Sequence, residues 1–98
     1  MLLIRDVFHC KPGQVRPLVE KFKKMNNVTK KMGMGNSRLL TDVSAERYWT
    51  LVTEWEVKDL ADFQRLMGAM DNKELDEAMK GYHDHVVNGR REIYTIEG

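Results

Sequence analysis

The sequence predicts an α+β sandwich, a four-stranded antiparallel sheet with helices on one face. Three observations carry this prediction. Four stretches show the two-residue period of a strand, and the segments between them show the three- and four-residue period of an amphipathic helix. Their order is strand, helix, strand, strand, broken helix, strand. Finally, the stretch from Arg47 to Val57, RYWTLVTEWEV, carries bulky residues on both faces. Trp49, Leu51, Trp55 and Val57 fall with Arg47 and Thr53, opposite Tyr48, Thr50, Val52, Glu54 and Glu56, which predicts a central strand covered on both sides.

The first strand is Leu2 to His9, with Leu2, Ile4 and Phe8 on one face and Leu3 and Val7 on the other. Arg5 and Asp6 interrupt these faces, which is tolerable near an edge, a barrel opening or a ligand cleft and costly if either is buried without a partner. Pro12 suits the first turn of a helix, since its missing N–H has no helical partner to lose. Val15, Leu18, Val19, Phe22 and Met25 then form the apolar stripe of an amphipathic helix of about four turns. Asn26 and Asn27 weaken the helix, and Gly33 and Gly35 end any continuation.

Ser37 to Val43 is the second strand, joined by Ser44, Ala45 and Glu46 to the Arg47 strand as an antiparallel hairpin. Asp59 is the expected N-cap of the next helix, with Asp62 imitating a capping box and Leu60, Phe63, Leu66 and Met67 as the buried stripe. Gly68 breaks that helix before Asp71 opens another, with Glu74 at the capping-box position and Met70 and Leu75 as a hydrophobic staple. Asn88 and Gly89 end the helical region, and Glu92 to Glu97 is the last strand. This is the split order of a ferredoxin-like sandwich.

Residues 1–98 make a single domain with a modest core. Sixteen Lys and Arg against fifteen Asp and Glu leave a net charge of +1, too little to draw in nucleic acid or an acidic membrane. The lysines at 21, 23, 24, 30 and 31 read as a solvated face. No apolar run approaches the roughly 20 residues that cross a bilayer, and the opening MLLIRDVFHC reads as a strand, not a signal peptide. A lone cysteine makes a reducing, cytoplasmic compartment the default. Helices cover only one side of the sheet, so Leu3, Val7, Leu39 or Leu40 on the other side predict a homodimer packed sheet to sheet.

The strand ending EWEV, the following KDLADF and the broken second helix resemble the dimeric α/β-barrel superfamily, and the segment Thr53 to Met67, TEWEVKDLADFQRLM, carries the most specific likeness. That superfamily includes antibiotic-biosynthesis-type monooxygenases, haem-degrading oxygenases and the NIPSNAP group. The resemblance covers nearly the whole chain and implies a sheet that dimerises into an α/β barrel. Oxygenase members often place a histidine where this chain has Met67, and the haem-degrading branch requires a first-strand asparagine that is absent here. The NIPSNAP-like reading, a protein that binds a small apolar or aromatic ligand, therefore comes first. A cofactor-independent monooxygenase acting on a phenolic or polyketide-like substrate is the alternative.

Trp49, Trp55, Phe63 and Tyr82 either line an apolar pocket between sheet and helices or fill the core. His83 and His85 of the YHDH cluster read first as solvent-facing or helix-end residues, and in the monooxygenase reading one of them is the catalytic base for the phenolic proton. Those two histidines diverge by roughly 200° on a helix and make poor joint metal ligands. With neither an HExxH pattern nor a cysteine set, no metal or cofactor is expected. His9 and Cys10 point to opposite sides of an extended strand, which argues against a nucleophilic pair. Met32 to Ser37, MGMGNS, lacks the lysine of a phosphate loop and reads as a connection beside the pocket.

Overall fold

A computed structural model of the chain describes residues 1–35 and 37–98. Its elements are β1 (Leu2–Cys10), α1 (Val15–Lys31), β2 (Arg38–Thr41), β3 (Thr50–Val57), α2 (Leu60–Ala69), α3 (Lys73–Ala78), a 3-10 turn at Tyr82–His85, and β4 (Val86–Thr95). The strands form one sheet in the order β2-β3-β1-β4, every neighbour antiparallel. β2 and β4 are its free edges, so the sheet does not close on itself. None of the helices is long and apolar enough to cross a membrane among the described residues.

The alternation of β1 decides which face receives the helices. Ile4 and Cys10 are buried toward them with Leu51 and Val57 of β3, the cross-strand partners of Phe8 and Leu2. Under α1 the core is Cys10, Leu18, Val19, Phe22 and Leu51; under α2 it is Ile4, Val57 and Leu66. The opposite face carries Leu3, Arg5, Val7 and His9 of β1, with no helix over it.

The boundaries differ from the sequence expectation at several points, each with a local cause. The central strand starts at Thr50, not Arg47, because Trp49 has φ 61°, a left-handed backbone that breaks extended geometry. The hairpin connection is therefore the longer segment 42–49, closed by Asp42, whose carboxylate accepts from the Thr50 N–H at 2.8 Å. α1 continues through Asn26 and Asn27 to Lys31 because Asn26 turns its amide to the next segment. It accepts from the Ser37 N–H and hydroxyl and donates to the Ser37 carbonyl, all at 3.0 Å. Thr29 extends the buried stripe. Pro12 lies in the turn ahead of this helix, which opens at Val15.

Asp59 caps α2 as expected, accepting from the Asp62 N–H at 2.8 Å while Asp62 accepts from the Lys58 N–H at 3.1 Å. Leu60, however, is exposed, since it is the first residue after the cap and the buried stripe begins with Phe63. The cap of α3 is Asn72, one residue beyond Asp71, because its side-chain oxygen accepts from both the Glu74 and Leu75 N–H groups. β4 begins at Val86 and takes in Asn88 and Gly89, which were expected to end a helix. Gly89 belongs in the strand for a steric reason: a Cβ there would stand 3.0 Å from the Val7 carbonyl oxygen.

Candidate functional site

Between the helix-facing side of the sheet and α1 to α3 lies a cleft of about 910 Å³. β1 and β3 contribute Asp6, Phe8, Thr53 and Trp55, and α1 contributes Phe22, Met25, Asn26 and Thr29. Leu66 and Met67 close it from α2, with Met70, Leu75, Met79 and Tyr82 from the segments that follow. Arg91 enters from β4. β2 pairs with β3 only as far as Arg38 and Glu54, and beyond them the edge of β3 is free. Leu3, Arg38, Glu54 and Glu56 also line the cleft there, so it opens around that edge.

Five of the seven methionines, Met25, Met34, Met67, Met70 and Met79, line this cleft. Thioether chains are unbranched and polarisable, so they form a wall that adapts to the outline of a ligand. Polar groups border this wall. Asp6 and Arg91 face each other across β1 and β4, and Asp6 accepts from Nε and Nη2 of Arg91 at 2.7 and 3.1 Å. That contact raises the pKa of Arg91 against the opposing effect of burial. Thr53 is buried on the floor.

Of the aromatic residues expected around a pocket, Trp55 and Tyr82 line the cleft. Phe63 stands behind Trp55, ring centroids 5.7 Å apart, and packs in the α2 core. Trp49 is elsewhere: it lines a separate depression of about 760 Å³ with His9, Cys10, Tyr48 and Val87. His83 is exposed and stacks on the outside of Tyr82 at 3.9 Å, and His85 bonds Gln14 through Nδ1 at 2.8 Å. Neither histidine is among the cleft-lining residues. Met34, Gly35 and Ser37 border the cleft as the MGMGNS reading expects, while Asn36 lies outside the described residues.

Sequence reasoning missed Arg91 and the methionine wall, and it named a ligand cleft only as one of three settings for Asp6. A signal existed for Asp6, an acid sharing strand parity with Leu2, Ile4 and Phe8. Arg91 becomes visible only once the register of β4 against β1 is known.

The open face of the sheet has its own electrostatics. Arg38, Glu54, Arg5 and Glu92 form one cross-strand row over all four strands. Arg5 bonds Glu54 at 2.6 Å and approaches Glu92 at 3.5 Å, and Arg38 pairs with the other Glu54 oxygen. The Arg38 hydrogen bond, with help from Arg5, holds the buried Glu54 carboxyl below its ordinary range against the opposing effect of burial. At the end of this face His9 has its pKa lowered, first by burial and then by Arg47 and Arg90. The Cys10 thiol is pushed up by burial and by Asp42, which leaves it a poor nucleophile.

No family model matches the chain, and no curated protein matches it. Solved structures do. A NIPSNAP family protein of Agrobacterium tumefaciens superposes with a TM-score of 0.81 at 8% identity, over 96% of this chain and 90% of that one. The chain has the fold of these proteins. An uncharacterized NIPSNAP-like domain protein from Burkholderia xenovorans follows at 0.78 and 16% identity, over 98% of this chain and 84% of that one. An antibiotic biosynthesis monooxygenase superposes at 0.72 with 14% identity, over 100% of both chains. At these identities the likeness is one of fold.

Proposed function

We propose that the chain is a NIPSNAP-like protein whose cleft binds a small apolar or aromatic ligand. The observation that supports this most strongly is the cleft of about 910 Å³, in which Trp55, Tyr82 and five methionines form an apolar wall beside a polar border that includes Asp6, Arg91 and Glu54. Such a lining rewards transfer of an apolar body from water at roughly 25 cal/mol per Å² buried and leaves polar groups to set orientation. Titration calorimetry with 2-naphthol tests it. Trp55→Ala should weaken binding at least about tenfold, the loss expected when an aromatic wall is removed. Trp49→Gly should leave binding unchanged, since Trp49 lines the other depression. Absence of binding by the parent, or equal loss in both variants, sinks the reading.

The same proposal includes a homodimer formed through the open sheet face, supported by the exposed Tyr94 and Leu40 there and by a charge row that can meet its own twofold image.

The likeness to an antibiotic biosynthesis monooxygenase over the full length of both chains favours a second reading. A base would take the proton of a phenolic substrate, and the electron-rich ring would then reduce dioxygen, one oxygen atom becoming a quinone carbonyl and the other leaving as water. His83 and His85 are the proposed bases, although both stand apart from the cleft lining. Oxygen uptake with hydroquinones that is the same in the parent, His83→Ala and His85→Ala would rule out that role.

A further inference from the structure

An ion pair on a mainly apolar sheet face must recover the cost of desolvating two charges. Asp6 is 13% exposed, and both its oxygens accept from one edge of the Arg91 guanidinium. The other edge is treated differently. Nη1 points at the Met67 sulfur, 3.7 Å away, and a thioether is a weak acceptor. The guanidinium also lies over the Phe63 ring at 5.3 Å, which fixes the direction of its fork. Arg91, itself 43% exposed, thus holds one edge committed to Asp6 and one strong donor edge, at the border of the cleft, facing a movable methionine.

We propose that the Nη1 edge of Arg91 is the anion-binding point of the cleft, and that the ligand is a small monocarboxylic acid with an aromatic or branched apolar body. The carboxylate displaces the Met67 sulfur and accepts from Nη1, while the body lies against Trp55 and the methionine wall. The lining carries Arg91 and Arg38 against Asp6, Glu54 and Glu56, so it tolerates at most one further negative charge, held at Arg91. Among the described residues the cations lining the cleft are Arg91 and Arg38, and Arg38 is already bonded to Glu54. Asp6 neutralises part of Arg91, so a dianion such as a phosphate monoester would be left undercompensated. This inference rests on reading the cleft as a ligand site.

The test compares 2-naphthoate with 2-naphthamide, equal in shape but different in charge, by titration calorimetry at neutral pH. The parent should bind the acid about tenfold more tightly than the amide, as one charge-assisted hydrogen bond provides. Arg91→Gln should bring that ratio to about one, because the charge is gone. Asp6→Asn should act in the opposite direction and tighten the acid by roughly threefold or more, since it removes a competing negative charge and keeps Arg91. That rise also serves if Arg91→Gln does not fold, because a merely structural pair would show no gain. Equal affinities in the parent, a preference that survives Arg91→Gln, or acid affinity unchanged or reduced in Asp6→Asn overturns the inference while leaving the cleft a ligand site. Binding of neither compound overturns the cleft reading and this inference with it.

Discussion

Glu54 shows how one residue answers to both neighbouring strands at once. It is buried, yet it satisfies Arg38 and Arg5 at once, so the charge is retained within the sheet. Glu54→Gln should cost about 1–3 kcal/mol at neutral pH, because a neutral amide replaces a carboxylate with two charged partners. Its pH signature has a defined sign. The folded pKa is depressed, so the stabilisation is fully present above the ordinary value of 4.5 and is lost as pH falls through the lower, folded value. Urea midpoints measured downward from pH 7 should fall more steeply for the parent than for Glu54→Gln below that ordinary value; parallel curves would remove Glu54 as the cause. The sequence showed Glu54 only as a polar residue on a strand face. Its partners Arg5 and Arg38 are far apart in sequence, and register alone aligns them.

Among the elements, periodic stretches were legible and their ends were not. The α1 stripe from Val15 to Met25 and the Asp59 cap follow from spacing and local chemistry, and both stand in the structure. The end of α1 depends on Asn26 reaching Ser37, the cap of α3 on which of two adjacent cap formers turns toward the Leu75 N–H, and the start of β4 on a strand that tolerates Gly89. Each is decided by a contact that pattern alone does not contain. Asn26→Ala removes three hydrogen bonds and should destabilise by about 1–3 kcal/mol. Asp59→Ala should cost about 1 kcal/mol through the lost cap. Gly89→Ala should cost about 1 kcal/mol or more, because its Cβ presses on the Val7 carbonyl and backbone yields little. Denaturant midpoints at constant slope check all three, and an unchanged midpoint for Gly89→Ala would mean that the edge strand simply moves outward.

For the whole molecule, the two faces of the sheet separate two tasks. One face is covered by helices and holds most of the cleft, a part of the candidate site that the sequence announced through Trp55, Tyr82 and the connection from Met32 to Ser37. The other carries the Arg38, Glu54, Arg5 and Glu92 row, with Leu40 and Tyr94 exposed beside it. Sequence reasoning expected an apolar open face, and its charges were read singly because cross-strand neighbours are invisible before the register is known. A twofold partner laid over this face would bury Leu40 and Tyr94 and set each alternating row near its own image, giving attraction at contact and little long-range field. Leu40→Glu should interfere with this contact and leave the helix-side core in place, since Leu40 projects away from both core clusters. Sedimentation equilibrium at micromolar concentration should give twice 11.5 kDa for the parent and 11.5 kDa for Leu40→Glu, with the far-ultraviolet circular dichroism of the two the same. A parent that sediments at 11.5 kDa would remove the dimer, and a Leu40→Glu variant that still sediments at the doubled mass would move the interface away from this face.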